Sequence, residues 1–193
     1  MADHLPDFKE ADYIGADRGA LFLAGKKIRM KLAIGDFDSV SDHEKEMIAQ
    51  YSDQVISLNP VKDNSDSEAA VDEAVRRGYE KIYIVGATGG RIDHEIVNIR
   101  LCWKYPEQVI LIDGQNLCRA LKKGVHRIEK KGYRYVSVFA ESECEISLKG
   151  FRYPLDHRVL DETDLYGLSN ELLEEKGIIE VHRGTILCVQ TGD

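Results

Sequence analysis

Up to about residue 115 the chain alternates short apolar runs with longer segments whose apolar positions recur at helical spacing. Residues 13–16, 31–34, 54–58, 81–85 and 109–112 predict strands, and residues 19–24, 42–51, 66–77 and 92–103 predict the helices between them. Ser41 with Glu44, and Ser65 with Glu68, match the Ser-x-x-Glu capping signature, and Gly78 stands where a left-handed helix cap belongs. Strands alternating with helices imply a mainly parallel sheet covered on both faces, with ligands received beyond the carboxyl ends of its strands.

Beyond residue 115 the pattern changes. Residues 116–121, 125–129, 133–139, 144–148, 178–182 and 185–190 predict short strands, punctuated by Gly124, Gly132, Gly150 and Gly184. The fold class is therefore α/β: an N-terminal, mainly parallel α/β domain over residues 1–115, followed by a small antiparallel β-sandwich over 116–193. Asp113-Gly114-Gln115-Asn116 reads as a tight connection between the two.

Composition narrows the possible partners. The 193 residues are 43% hydrophobic and 31% charged, which suits a soluble globular protein, and no apolar run approaches the roughly 18 residues of a membrane span. Without a signal-peptide core in residues 1–10, the expected location is cytoplasmic. Cys102, Cys118, Cys144 and Cys188 stand far apart with no Cys-x-x-Cys pair, so reduced, buried thiols are expected. A formal charge of -8 argues against nucleic acid, whose affinity depends on a basic surface, but is compatible with a small phosphorylated ligand bound through metal.

Three acidic clusters fall at predicted strand ends: Ala16-Asp17-Arg18-Gly19, Gly35-Asp36-Phe37-Asp38-Ser39 and Lys62-Asp63-Asn64-Ser65-Asp66. Carboxylates brought together repel unless a cation sits among them, and a hard divalent ion such as Mg²⁺ is the natural occupant. Mg²⁺ takes few protein ligands and fills its shell with water and phosphate, which points to nucleotide chemistry. Each cluster also has a plain reading: a polar loop after a strand at Asp36 and Asp38, and a helix cap with a dipole-favoured acid at Ser65 and Asp66.

Gly86-Ala87-Thr88-Gly89-Gly90-Arg91-Ile92-Asp93-His94 follows a strand and opens a helix. Its glycines would let backbone N–H groups approach a phosphate and Arg91 could add a bidentate contact, although a tight turn alone would look the same. It is neither the dinucleotide Gly-x-Gly-x-x-Gly pattern nor a P-loop. Gly167-Leu168-Ser169-Asn170-Glu171 would by itself be an ordinary turn.

In this order, these segments together with Gly150-Phe151-Arg152-Tyr153-Pro154-Leu155 closely resemble the thiamine pyrophosphokinase (thiamine diphosphokinase) family over almost the whole chain. The resemblance implies transfer of diphosphate from ATP to thiamine, giving thiamine diphosphate and AMP, with Mg²⁺ as cofactor. It also implies a homodimer whose thiamine pocket lies between the α/β domain of one subunit and the β-sandwich of the other. Carried over residue by residue, Asp17, Asp36, Asp38 and Asp66 match the acidic positions around metal and phosphates, with Asp36, Asp38, Asp66 and Arg91 as the catalytic set. Lys62, Asp63, Ser65, Gly89, Gly90, Arg91 and Asp93, with Asp17, match the ATP side, and Ser169 and Asn170 match the thiamine pocket. Family members normally begin with a further strand ending in glycines, for which Met1 comes too late, so an exposed sheet edge is expected.

Two other classes fit parts of the pattern. Asp36-Phe37-Asp38-Ser39-Val40 also fits the nucleophile motif of haloacid-dehalogenase-like phosphatases, in which Asp36 would become phosphorylated, but the late paired-acid motif of that family is missing. An inactive nucleotide- or thiamine-binding protein is the non-enzyme alternative.

Overall fold

A computed structural model describes residues 10–59 and 64–192. The chain forms two compact units, one reaching to Glu80 and the other starting at Lys81.

The first unit is built from β1 (Ile14–Ala16), α1 (Arg18–Gly25), β2 (Leu32–Gly35), α2 (Asp42–Gln50), β3 (Val55–Ser57) and α3 (Asp66–Arg76). Its three strands run parallel in the order β1-β2-β3, with Ile14 opposite Leu32 and Ala33 opposite Val55. The central strand is buried along its whole length, which explains its unbroken apolar sequence Leu32-Ala33-Ile34-Gly35. Gly15 permits the close approach of α1, because a Cβ there would lie 2.5 Å from the Cα of Ala20. Ala20, Leu23, Ala24, Met30, Phe37 and Ile48 close the core.

Both predicted helix starts hold. Ser41 N–H donates to Glu44 Oε2 at 2.7 Å while Ser41 Oγ receives the Glu44 N–H, and Ser65 Oγ receives the Glu68 N–H at 3.1 Å. A serine cap of this kind contributes about 1 kcal/mol. At the far end of α3, Gly78 turns left-handed at φ 84°, as its position predicted.

The second unit begins with β4 (Ile82–Val85), α4 (Ile92–Lys104) and β5 (Val109–Ile112), and continues with six strands: β6 (Asn116–Glu129), β7 (Tyr135–Ala140), β8 (Cys144–Lys149), β9 (Leu155–Leu160), β10 (Asn170–Glu171) and β11 (Lys176–Thr191). The sheet order is β10-β7-β11-β6-β5-β4, with β8 joining β11 to β9. Only β4 and β5 are parallel to each other; β5 then pairs antiparallel with β6 through the Asp113–Asn116 turn. The junction expected at 115/116 lies within a hydrogen-bonded hairpin, and the compact units part at Glu80.

Two pairs of predicted strands are continuous. Residues 116–121 and 125–129 form the single strand β6, carried through Gly124 at φ 154°. Residues 178–182 and 185–190 form β11, with a register irregularity between Val181 and Thr185. Gly184, at φ 78°, bends the chain there, and a Cβ would press within 2.9 Å of the Cβ of Cys144. The glycine bends the strand without ending it. β11 consequently pairs with β6 along its length, while Ile178–Arg183 also pair with β8 and Ile186–Thr191 with β7. Ile128, Ile146, Phe151, Ile179, Val181 and Ile186 fill the core. Among the described residues no helix is long and apolar enough to cross a membrane.

Candidate active site

Asp17, Asp36, Asp38 and Asp66 all belong to the first unit, at the carboxyl ends of β1 and β2 and at the start of α3. The chain bends sharply to put them there. Asp17 has φ 45° and ψ -119°, and its N–H is held by the Ile34 carbonyl at 2.9 Å. Gly35 makes room for that bend, since a Cβ would sit 3.1 Å from Asp17 N and Cα. Phe37 is left-handed at φ 52° and sinks its ring into the core, which turns Asp36 and Asp38 toward the loop side. The Asp38 N–H donates to Asp36 Oδ1 at 3.1 Å.

The electrostatics show that these acids share one region. Burial raises the Asp17 carboxyl above its ordinary range, the Arg18 backbone amide opposes this, and the charges of Asp66, Asp36 and Asp38 push it further up. Asp17 Oδ1 is buried with no hydrogen-bond partner among the described residues. An orphaned carboxylate oxygen among three like charges fits a hard cation, which would satisfy the oxygen and reverse the repulsion. Among the described residues, no three acidic, imidazole or thiol side chains form a ready-made ligand group. Lys62 and Asp63, assigned by resemblance to the ATP side, lie outside the described residues.

Arg91, Asp93, Gly89 and Gly90 lie in the second unit, at the entry to α4. Gly89 is left-handed at φ 79°, the conformation this turn requires of a glycine. Gly90 and Arg91 already have internal acids as partners. Gly90 N–H donates to Glu95 Oε1 at 2.9 Å, and the Arg91 guanidinium grips both oxygens of Asp93, holding that carboxyl down at about 2. Arg91 and Asp93 remain exposed at 74% and 60%, so a phosphate could compete for the same donors.

Sequence reasoning missed the support behind this loop. Asp113 accepts from Thr88 Oγ1 at 2.6 Å and from the Gln115 and Asn116 backbone at 2.7 and 2.8 Å. Burial pushes its carboxyl up, but the Thr88 and Asn116 hydrogen bonds outweigh it and leave it low. An aspartate opening a Gly-containing turn was the available signal.

Ser169 and Asn170 meet at the edge of the β-rich sheet. Ser169 is exposed and left-handed at φ 57°, with its N–H donated to Ser137 Oγ at 3.0 Å. Gly167 packs so closely that a Cβ would lie 2.4 Å from the Val138 carbonyl oxygen. Asn170 is buried, and its amide is engaged on both sides by the backbone of Tyr153. A cavity of about 50 Å³ opens beside it, lined by apolar side chains with Tyr153, Tyr166, Gly167 and Asn170. The tyrosines carried no signal of their own in the sequence.

Strand-end acids on a parallel sheet, a glycine loop opening a helix, and an antiparallel unit with its own cavity mark an α/β protein with the parts of a ligand site. The family model described as thiamin pyrophosphokinase, catalytic domain, matches residues 8–112, and that described as thiamin pyrophosphokinase, vitamin B1 binding domain, matches residues 125–186. A curated relative, thiamine pyrophosphokinase of Bacillus subtilis, is 33% identical over 94% of this chain and 87% of its own. The crystal structure of thiamine pyrophosphokinase from Bacillus subtilis superposes with a TM-score of 0.87 at 31% identity, covering 96% of this chain and 90% of that one. A thiamin pyrophosphokinase family protein from Enterococcus faecalis gives 0.86 at 30%, covering 93% and 88%.

The chain belongs to the thiamin pyrophosphokinase family and is a diphosphotransferase. The match sets aside the phosphatase reading of Asp36-Phe37-Asp38-Ser39. The two family models part between residues 112 and 125, around the expected junction, although the compact units part at Glu80.

Proposed function

We propose that this chain transfers a diphosphoryl group from ATP to thiamine as a Mg²⁺-dependent homodimer in the cytoplasm. The observation that supports the metal assignment is Asp17 Oδ1, buried with no partner among the described residues and subject to the charges of Asp66, Asp36 and Asp38. Asp17, Asp36, Asp38 and Asp66 would hold Mg²⁺, with Asp63 in reserve. Bound there, the ion supplies charge neutralisation for the polyphosphate and for the leaving group.

The chain's own residues supply position and charge. Arg91 and the N–H groups of Gly89 and Gly90 orient phosphate oxygens, with Asp93 holding the guanidinium plane, and family resemblance assigns Ser65 and Lys62 to ATP as well. The hydroxyethyl oxygen of thiamine attacks the β-phosphorus, the bond from that phosphorus to the α,β-bridging oxygen breaks, and AMP departs. The hydroxyl proton leaves to solvent. Ser169 and Asn170 serve the thiamine end.

Two further observations support the setting. All four cysteines are free and buried, as suits a reducing compartment. Leu165, Tyr166, Leu168 and Leu173 are exposed at 47–78% on the β-rich unit, an apolar surface suited to a second copy.

The test is to incubate the protein with thiamine, ATP and Mg²⁺ and identify products by mass spectrometry. Thiamine diphosphate and AMP in equal amounts are expected. Thiamine monophosphate with ADP would overturn the diphosphoryl step, and thiamine bound without product would mark an inactive binding protein.

A further inference from the structure

The N-cap of α4, Arg91, makes no side-chain hydrogen bond to the first turn, and the position three residues on, from which a capping glutamate reaches back, is held by His94. The carboxylate that does reach back is Glu95, and it passes the cap. Its Oε1 accepts from Gly90 N–H at 2.9 Å, five residues upstream and outside the helix. The capping glutamate of α2 stays on its own N-cap, with Glu44 Oε2 accepting from Ser41 N–H at 2.7 Å. Glu95 therefore serves the glycine loop, at a backbone N–H of the kind such loops offer to phosphate.

The loop keeps its shape without Glu95. Ala87 is fixed from α4, its carbonyl accepting from Asn98 Nδ2 at 3.1 Å, and Asn98 is buried. Thr88 is fixed from the end of β5, donating to Asp113 at 2.6 Å. Gly90 is exposed and Glu95 half-buried, so their hydrogen bond is open to exchange with water or with a stronger acceptor at little cost. A polyphosphate is such an acceptor, with more charge than one carboxylate, but to take the Gly90 N–H it must displace Glu95 or lie against its negative charge.

We propose that Glu95 is a built-in stand-in for phosphate, which competes with ATP for the Gly90 N–H and so weakens ATP binding and keeps weaker anions out of the loop. This rests on the reading of the Gly89–Arg91 loop as the seat of the ATP phosphates. Glu95 is thereby a specificity-determining residue: the loop yields to an anion that outcompetes a tethered carboxylate, and its own frame, held by Asn98 and Asp113, stays in place when the exchange occurs.

The test measures, in the full chain, KM for ATP and for thiamine, Tm, and the affinity for tripolyphosphate without metal by calorimetry. Glu95→Ala should lower the ATP KM about two- to fivefold, the range of a single exposed charge interaction. It should also tighten tripolyphosphate by a similar factor, with the thiamine KM and Tm little changed. Glu95→Gln, which keeps an acceptor for Gly90 but loses the charge, should move both in the same direction by less, and it carries the test if Glu95→Ala folds poorly. An ATP KM that is unchanged or higher, or tripolyphosphate bound no more tightly, would overturn the proposal; a higher ATP KM with a lower Tm would show a loop that needs Glu95 for its shape. Arg91→Ala tells the two readings apart. A raised ATP KM there keeps the loop as the phosphate seat whatever Glu95 does, whereas an unchanged one would take the phosphates out of the loop and overturn both.

Discussion

The two units treat the polar groups at their candidate sites differently. In the first, three carboxylates stand at strand ends and a fourth opens α3, Asp17 Oδ1 is buried with no partner among the described residues, and the backbone at Asp17 and Phe37 is held at positive φ. In the second, Asn170 is paired with Tyr153, Asp113 with Thr88 and Asn116, Gly90 with Glu95 and Arg91 with Asp93, while Arg119 Nε is buried with no partner among the described residues. Unsatisfied charge is what a site needs if its ligand is a cation that arrives with substrate; satisfied groups are what a site needs if its contribution is shape. On the proposed assignment the metal end of the chemistry falls to the first unit, while the second supplies the phosphate-orienting Arg91 loop and the thiamine turn.

The largest effect should come from the first unit. Asp38→Asn removes one of the gathered charges and should cut turnover by about 10²-fold or more, and excess chelator should abolish it. Full activity in either experiment would take Asp38 or the metal out of the account.

Around Gly167 in the second unit, geometry should matter more than charge. Gly167→Ala drives a Cβ to within 2.4 Å of the Val138 carbonyl and should cost about 1–3 kcal/mol of stability, read by urea denaturation. An unchanged midpoint would show that the turn gives way freely and that the shape argument is weaker than stated.

Asp17→Asn sharpens the contrast further. Neutralising an orphaned, partly buried acid among three others should raise Tm by roughly 1–3 °C while lowering activity, a trade expected where stability is sacrificed to function. A lower Tm would mean that the carboxylate is supported after all.

The smallest effect concerns the β8–β9–β11 surface. His157 Nδ1 meets Glu145 at 2.7 Å and its ring stacks on His182 at 4.0 Å, with Glu180 from β11 and Asp156 from its own strand nearby. The hydrogen bond to Glu145 raises the imidazole above its ordinary 6.5. The folded state therefore binds the proton more tightly than the unfolded one, so this contribution is complete below pH 6.5 and fades as pH rises through the raised value. His157→Gln should flatten that part of the stability profile, measured by denaturation at about pH 5.5 and 8.5. Parallel profiles would show the pair to be inert.

The alternation of apolar runs with helical spacing made the first nine elements legible, even though β3 and β4 hold no fully buried residue, and Ser41, Ser65 and Gly78 mark ends locally. The β-rich part was harder to read for physical reasons. Gly124 and Gly184 look like chain terminators but act as bends within long strands, since the pairing continues on both sides of them. β9 leaves four consecutive residues exposed, Asp156 to Val159, so it shows no alternation, and β10 is two residues long. The positions of Asp17, Asp36 and Asp38 at strand ends and of Asp66 at a helix start were legible from the pattern. The clamp of Asn170 on Tyr153 was not, because it joins residues 17 apart through a side chain that mimics backbone.

The central claim is that the cation belongs to the acid cluster while the β-rich turn serves thiamine. A calorimetric titration of ATP with and without Mg²⁺ into wild type, Asp38→Asn and Asn170→Ala tests it directly. Mg²⁺-dependent ATP binding should be lost in Asp38→Asn and retained in Asn170→Ala; equal loss in both, or retention in Asp38→Asn, would contradict the division.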